Sequence, residues 1–398
     1  MRKFIEKIIE KVLMASGAIT SFTILLIILF LFRQGAGLFT NSIVEEGYSL
    51  VVNKSNRVEK LTPEEIKNIF DAEIINWAQA GGENEDIIVF RLNDITSYVS
   101  EEELGDEMQY IPQALSKIVS ENPHIIAFLP DQYIEESFDG KILDIGDISP
   151  ADFFAGKEWF PTAQPAPLFG ILPLIMGTLW VSFAAILFAL PFGLAVAIYM
   201  AELASARVRS TLKPIIELLA GIPSVIYGFF GLVVIVPLIQ KTFNLPVGET
   251  ALAGSIILAI MALPTIITVA EDAIRTVPRA TKEASLALGA SHMQTIFRVT
   301  LPYCVSGIMA AVVLGIGRAI GETMAVLMVT GNSAIIPTTL LEPVRTIPAT
   351  IAAELGEAPN GGAHYEALFM LGVILFLITL VISILIEIIS SKRPKQQM

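Results

Sequence analysis

Six long apolar blocks dominate this chain and constrain its fold more than any other feature. They cover, roughly, residues 14–32, 171–200, 215–240, 251–270, 303–330 and 366–389. Each is long enough to cross ~30 Å of hydrocarbon as a helix that rises about 1.5 Å per residue. Backbone polar groups in lipid must be satisfied within their own segment, so helices are the expected form. The sequence therefore predicts an all-α polytopic membrane protein with six transmembrane helices.

The first block could instead be a secretory signal peptide, because it has a basic start over residues 2–11. Against this, the apolar run from Val12 to Phe32 is longer than the usual signal core of about 7–15 residues. Arg33 and Gln34 follow it, where a cleavage site would need small residues. We therefore expect an uncleaved first helix.

The basic residues predict the orientation in the membrane. Of the 26 Lys and Arg residues, 14 lie in four clusters, at 2–11, 207–213, 275–298 and 392–395. Six helices with both termini inside place all four clusters on the cytoplasmic side, as the positive-inside rule requires. We therefore expect a multi-pass protein of the plasma (inner) membrane, with residues 41–165 on the extracytoplasmic side.

The formal charge of −13 has a local origin. Residues 45–158 hold 25 acidic and 8 basic residues, a net charge of −17. Such acidity argues against a nucleic-acid partner. Cys304 is the single cysteine, and His124, His292 and His364 fall in separate segments. This pattern predicts no metal site and no cofactor.

Composition divides the chain into three parts: residues 1–40 with the first helix, residues 41–165, and residues 166–398. Residues 41–165 predict a small inserted α/β domain. Thr62-Pro63-Glu64-Glu65 is a helix start with a capping threonine and an early proline. The runs 87–90 and 125–129 are apolar and short, which is typical of buried strands.

The stretch 275–302, here called the coupling loop, carries a spaced motif. Glu283-Ala284-Ser285 is followed by three residues, Gly289, nine residues and then Val299-Thr300-Leu301-Pro302. The pattern predicts a short helix, a glycine break and a second short helix that returns to the membrane. Ala284 and Leu288 would form a small apolar knob in a polar surround.

A second motif, Arg318-Ala319-Ile320-Gly321-Glu322-Thr323-Met324, lies in the fifth block. Arg318 and Glu322 are spaced i and i+4, so we expect them to share one helix face. Charges inside a membrane usually face the protein interior or a water path. An arginine fork suits a tetrahedral oxyanion, whereas a structural ion pair between the two residues is the alternative. The residues alone leave both interpretations open.

The coupling loop resembles the EAA loop of ABC importer permeases, which implies an ABC importer permease fold. The resemblance implies that this loop docks on a separate ATPase through the following residues: Glu283, Ala284, Ser285, Gly289, Leu301 and Pro302. The chain has no Gly-x-x-x-x-Gly-Lys-Ser/Thr loop of its own. We therefore expect a transport subunit and not an enzyme.

Three further runs resemble the phosphate-specific ABC permeases: 220–228, 263–302 and 317–326. Met324 and the runs 343–347 and 364–369 are similar to the C-type subunit of these importers. The resemblance implies import of inorganic phosphate, with Arg318 and Glu322 in the phosphate path and Thr323 beside them. It also implies four partners: a second permease subunit in a heterodimer, two copies of a cytoplasmic ATPase, an extracytoplasmic phosphate-binding protein, and lipid. Two alternatives remain, a permease for molybdate or sulfate and a phosphate-sensing signalling protein.

The inserted domain resembles part of a periplasmic phosphate-binding protein over the runs 61–66, 76–77 and 122–128. The serine-glycine-threonine loop that holds phosphate in those proteins has no match here, because Arg91–Ser97 stands in its place. Only one lobe's worth of sequence is present, and its acidity opposes anion capture. We therefore expect a docking or structural module rather than a phosphate site.

Overall fold

The computed structural model describes residues 2–39, 47–105, 109–135, 137–145 and 148–391. The chain divides into two compact units. The membrane unit comprises Met1–Phe32, Leu172–Ala358 and Leu368–Met398, and the insert unit comprises Arg33–Ile171 and Pro359–Ala367. The predicted basic cluster at 392–395 and the predicted start of the insert at residue 41 lie outside the described residues. The predicted domain bounds stay predictions.

The first apolar block forms the long helix α1, Arg2–Ala36. Its most apolar stretch lies within Ile9–Phe39, and none of that stretch is buried by the rest of the chain. An apolar helix left uncovered by its own chain must be covered by lipid or by another subunit.

Helix α2, Pro63–Phe70, confirms the helix predicted from its start signal. Thr62 Oγ1 accepts the backbone N–H of Glu65 at 3.3 Å, and the Glu65 carboxylate accepts the N–H of Thr62 at 2.8 Å. This reciprocal capping satisfies two backbone donors that the helix itself leaves open. The apolar face of α2, with Ile66, Ile69 and Phe70, is buried.

The insert unit contains eight described strands and three further helices. The strands are β1 (Tyr48–Asn53), β2 (Lys60–Leu61), β3 (Ile88–Arg91), β4 (Ile125–Pro130), β5 (Gly140–Ile142), β6 (Asp144–Ile145), β7 (Trp159–Phe160) and β8 (Leu168–Phe169). The helices are α3 (Glu101–Leu104), α4 (Ile111–Glu121) and α5 (Pro150–Ala155). The main sheet has the order β3-β4-β1-β5, with β3 parallel to β4, and β1 antiparallel to β4 and β5. Strands β3 and β4 confirm the two strands predicted from sequence.

This sheet has an apolar core on each face. Leu50 and Val52 of β1 pack with α2 and Trp77, whereas Val51 packs with Phe90 and with Leu115 of α4. Alternate residues of a strand point to opposite faces, so one strand serves both cores. The insert unit is therefore an α/β module with helices on both sides of its sheet.

The membrane unit continues with twelve described helices. They are α6 (Leu172–Ile198), α7 (Ala206–Ala220), α8 (Ser224–Phe230), α9 (Val236–Phe243), α10 (Ala251–Arg275), α11 (Arg279–Ala287), α12 (His292–Thr295), α13 (Leu301–Tyr303), α14 (Val305–Ile320), α15 (Met324–Val329), α16 (Ile347–Glu354) and α17 (Ala363–Ser391). Three π-helical turns extend or join them, at Tyr199–Leu203, Gly231–Ile235 and Ile296–Thr300.

Within the described residues, five helical segments are long and apolar enough to cross a membrane. They are Ile9–Phe39, Leu172–Leu203, Ser224–Phe243, Ala251–Arg275 and Ala363–Ile388. A sixth results if the pair His292–Tyr303 and Val305–Ile320, bent by 71° between its parts, counts as one span. The predicted polytopic helical architecture is confirmed, and the count of six depends on this bent pair.

Two predicted blocks differ in detail from the structure. The third block, predicted at 215–240, is interrupted at 221–223, between α7 and α8. Pro223 disfavours helical backbone in the residue before it, which explains the interruption. The fifth block, predicted at 303–330, is interrupted at Cys304 and again at 321–323.

Helix α10 lies at the centre of the membrane unit and packs closely on α6 and α14. Ile266 of α10 approaches Gly193 of α6 and Gly315 of α14, and a Cβ at either glycine would lie 2.9 Å from its side chain. Small residues at such points let membrane helices approach closely. Pro264, inside α10, removes one backbone hydrogen bond from the same helix.

The segment between α15 and α16 covers the first turn of α10. The N–H groups of Ala251 and Leu252 donate to the carbonyl oxygens of Glu342 and Leu340 at 2.9 and 2.7 Å. The N–H and hydroxyl of Thr338 donate to the carboxylate of Glu342 and lower its pKa. The first backbone N–H groups of a helix have no acceptor within that helix. In α10, the N–H groups of Ala251 and Leu252 bind carbonyl groups of this segment instead.

Candidate functional site

The coupling loop has the helix, break and helix predicted from its motif. Helix α11 ends at Ala287, Gly289 has a φ of +87°, and α12 begins at His292. A left-handed φ is readily adopted by glycine and rarely by other residues, which accounts for the glycine at this turn. Ser291 starts α12 in a capping box with Gln294.

The two short helices are tied together by a side-chain contact. Ser285 Oγ of α11 lies 3.0 Å from Thr295 Oγ1 of α12, and Thr295 is buried. Ser285 therefore has a structural role in fixing the turn.

The outer surface of the coupling loop is apolar at its tip. Leu288 is 89% exposed, and Ala284 and Glu283 are exposed beside it. The predicted apolar knob is therefore present on the surface of the membrane unit. Further along, Leu301 and Pro302 lie in α13, which follows the π-helical turn Ile296–Thr300.

The prediction that Arg318 and Glu322 share a helix face is wrong. Helix α14 ends at Ile320, so Arg318 lies in its last turn while Glu322 lies in the break before α15. The Glu322 carboxylate accepts the N–H of Ala325 at 3.5 Å, at the start of α15. Thr323 Oγ1 donates to the Gly321 carbonyl at 3.4 Å. The described residues show no ion pair between Arg318 and Glu322.

Arg318 is half-buried and contacts a neutral group. Its Nη1 donates to Thr265 Oγ1 of α10 at 3.3 Å. Thr265 directly follows Pro264, at the point where α10 lacks a backbone hydrogen bond. Sequence reasoning did not predict this partner, because the two residues are 53 positions apart.

A cavity of about 510 Å³ adjoins the break between α14 and α15. It is lined by the following residues: Gly321, Thr323, Pro348, Ile351, Ala352, Leu355, Gly356 and Leu375. Thr323 contributes its one hydroxyl, and the other side chains are apolar. Arg318 and Glu322 are not among the lining residues, so of the predicted path residues only Thr323 lies at this cavity.

Residues of two predicted basic clusters meet around a buried carboxylate that sequence reasoning did not single out. Glu271 of α10 is 1% exposed, and its oxygens lie 3.8 Å from Arg209, 3.4 Å from Lys213 and 3.4 Å from Arg275. Buried charges are stable only when they are paired. Glu271 of α10 therefore links this helix to α7 through its ion pairs with Arg209 and Lys213.

In the insert unit, the segment 91–97 is occupied by contacts within the protein. The N–H of Arg91 donates to the Asp94 carboxylate at 3.1 Å, and its guanidinium donates to the Phe70 carbonyl at 3.0 Å. The same guanidinium lies over the Phe70 ring, 5.7 Å from its centroid. The Asp94 carboxylate therefore lies beside Arg91, in the segment that stands in place of the phosphate-holding loop.

Comparison with known families agrees with this architecture. The family model described as "Binding-protein-dependent transport system inner membrane component" matches residues 189–394. The chain belongs to this family. The permease is thus a multi-pass membrane component of a transport system and not an enzyme. A second model, described as "PBP superfamily domain", matches residues 31–141.

Individual relatives match about three fifths of the permease. A Bacillus subtilis protein described as "Probable ABC transporter permease protein YqgH" is 39% identical over 249 residues, covering 63% of this chain and 80% of the relative. The "Phosphate transport system permease protein PstC" of Mesorhizobium japonicum is 40% identical over 249 residues, covering 58% and 75%. Among solved structures, the inward-facing MetNI methionine ABC transporter is 20% identical with a TM-score of 0.44, covering 55% of this chain and 93% of that one.

Proposed function

We propose that this permease carries inorganic phosphate into the cytoplasm as the C-type membrane subunit of an ABC importer. Several relatives that are 35–40% identical are described as phosphate transport permeases, including those of Mesorhizobium japonicum and Pasteurella multocida. Each match covers at least 75% of the relative.

The observation that carries the proposal is the environment of Arg318. Three arginines of the described membrane unit are half-buried: Arg209, Arg318 and Arg345. Arg209 lies near Glu271, and Arg345 binds Glu354 at 2.7 Å, whereas Arg318 contacts the neutral Thr265 hydroxyl. A charge in a membrane normally requires a counter-charge. No ion pair of the Arg318 guanidinium is present among the described residues, and this supports a role for Arg318 in attracting an anion.

The chemistry of this side chain suits phosphate. Arginine presents five N–H donors in a planar fork, and the fork can bond two oxygens of one tetrahedral anion. Thr265 uses one of these donors, which leaves several for a ligand. Glu322 lies in the break that follows the helix of Arg318, and its carboxylate carries a negative charge. We infer that this charge weakens the hold on phosphate and allows its release.

The deciding experiment compares anions. Proteoliposomes that contain the complete importer should take up labelled phosphate in an ATP-dependent manner, and should not take up molybdate or sulfate at the same concentration. Uptake of molybdate or sulfate in preference to phosphate would overturn the assignment of the substrate.

The proposal includes the orientation and the partners. With both termini cytoplasmic, the coupling loop faces the cytoplasm, and the exposed Leu288 knob supports docking on a separate ATPase. We infer two ATPase copies, a second permease subunit in a heterodimer, and an extracytoplasmic phosphate-binding protein. The insert unit lies on the extracytoplasmic side.

For the insert unit we propose a docking or structural role. The Asp94 carboxylate accepts the backbone N–H of Arg91, and the Phe70 carbonyl accepts one N–H of its guanidinium. A negative charge bound within the segment 91–97 argues against a phosphate site there. Thr96 and Ser97 are exposed on the surface and so do not form a pocket.

A further inference from the structure

The coupling loop is attached to helix α6 by an ion pair that is mostly shielded from solvent. Helix α6 continues as the π-helical turn Tyr199–Leu203, which contains Glu202. The Glu202 carboxylate lies 2.5 Å from Lys282 Nζ of α11. The two side chains are only 6% and 21% exposed.

A second contact joins the same turn to the other short helix of the loop. His292 of α12 places its Nε2 3.4 Å from the backbone carbonyl oxygen of Glu202. The Ser285–Thr295 contact already ties α11 to α12. Both halves of the coupling loop are therefore attached to one residue at the end of α6.

The turn that holds Glu202 is also fixed on the side of the membrane helices. The Arg209 guanidinium of α7 donates to the Met200 carbonyl, at 2.8 Å from Nε, and to the Ala201 carbonyl at 3.2 Å. Arg209 in turn lies near the buried Glu271 of α10. A displacement of the coupling loop is thus resisted by α6, α7 and α10 together.

Burial decides how much this ion pair matters. Exposed pairs contribute little, because water screens them, and the Lys54–Asp139 pair of the insert unit, 61% and 65% exposed, is of that kind. Removing one partner of a buried pair leaves the other charge buried without a partner, which is strongly destabilising. The Glu202–Lys282 contact should therefore persist when the coupling loop moves.

We propose that the Glu202–Lys282 pair is the link that passes movement of the coupling loop to helix α6. Glu202 and Lys282 are positioning residues, since they touch neither the transported anion nor ATP. The inference rests on the proposed function only in so far as the loop docks on an ATPase. Without the link, ATP hydrolysis would continue while the membrane helices respond less.

The test uses the complete importer in proteoliposomes and measures anion uptake per ATP hydrolysed. Lys282→Met should lower this ratio about fivefold or more, the lower end of typical coupling between sites. Lys282→Arg keeps the charge and the reach, so its ratio should stay near that of the wild type. Lys54→Met removes the exposed pair by the same substitution, and its ratio should be unchanged.

The double variant Glu202→Gln/Lys282→Met separates linkage from stability. It no longer buries an unpaired carboxylate, so its Tm and its yield of assembled complex should recover relative to Lys282→Met. Its uptake per ATP should stay as low as that of Lys282→Met, because the link is still missing. Recovery of the ratio together with Tm would show a merely structural pair and overturn the proposal.

An unchanged ratio in Lys282→Met, at equal amounts of assembled complex, would overturn the proposal as well. The wild-type importer is assayed in parallel with phosphate and with molybdate. If the wild type carries molybdate and not phosphate, the proposed substrate is wrong, and the ratio of each variant is then scored with molybdate. The two failures are therefore distinguishable.

Discussion

At the scale of single residues, the role proposed for Arg318 depends on the shape of its side chain as well as on its charge. A guanidinium held by Thr265 on one side presents its remaining donors in a fixed plane. An ammonium group has the same charge and no fixed plane. The two cations therefore differ in how they can hold a tetrahedral anion that has lost its water.

We predict that Arg318→Lys abolishes most phosphate uptake while the complex still assembles. Loss of a hydrogen bond to a charged ligand removes about 1.5–3 kcal/mol, which corresponds to about a tenfold or greater fall in uptake. Uptake is measured per assembled complex in proteoliposomes. Arg207→Lys, the same change at an exposed arginine of α7, serves as the control and should transport normally.

Phosphate uptake by Arg318→Lys at the wild-type rate would show that a positive charge at this position is sufficient for transport and would contradict the prediction. The exchanged pair Arg318→Glu/Glu322→Arg gives a second measure. Since the described structure shows no ion pair between these residues, the exchange has no salt bridge to restore, and uptake should remain lost. Full uptake in the exchanged protein would leave a purely structural role for both.

At the scale of elements, the coupling loop owes its shape to one residue with a left-handed backbone. Nothing lies within 4 Å of the position that a Cβ would take on Gly289. A side chain there meets no steric obstacle outside its own backbone. Any effect of substitution must therefore come from the backbone angle.

We predict that Gly289→Val uncouples ATP hydrolysis from transport, and that Gly289→Asn does so far less. A left-handed conformation costs an ordinary L-residue roughly 1–2 kcal/mol, and asparagine tolerates it better than a β-branched residue. The measurement is phosphate-stimulated ATP hydrolysis in proteoliposomes. Equal stimulation in both variants and in the wild type would contradict docking through this turn.

Elements with local signals were predicted well from the sequence. The capping box of α2 lies within four consecutive residues, and the helix, glycine and helix of the coupling loop lie within one motif. The break at 321–323 was not predicted, because Gly321-Glu322-Thr323 contains no proline to mark the end of a helix within the apolar run. The Arg318–Thr265 and Glu202–Lys282 contacts join residues 53 and 80 positions apart. No local pattern marks such pairs, since only the packing of α10, α14 and α6 brings them together.

At the scale of the whole molecule, one chain combines a permease with an α/β module that has two apolar cores of its own. A module with its own cores has what independent folding requires. Residues 45–158 carry a net charge of −17, and within the described segment 91–97 the Asp94 carboxylate accepts the N–H of Arg91. We propose that the module serves as a docking or structural surface.

We predict that a fragment of residues 45–160 unfolds cooperatively and does not bind phosphate. Circular dichroism follows the unfolding, and titration calorimetry measures the binding. Thr62→Ala removes the cap of α2 and should lower the free energy of unfolding by about 1 kcal/mol, which verifies that the native fold is being observed. A micromolar phosphate affinity that is lost in Arg91→Ala would contradict the prediction.

Pro264 in α10 and the break at 321–323 after α14 lie on either side of one hydrogen bond, between Thr265 and Arg318. Each interruption removes backbone bonds that would otherwise stiffen a helix. The membrane unit therefore has an interruption on each side of the Thr265–Arg318 hydrogen bond. We expect that bending of α10 and α14 at these interruptions would also change the surroundings of the Arg318 guanidinium.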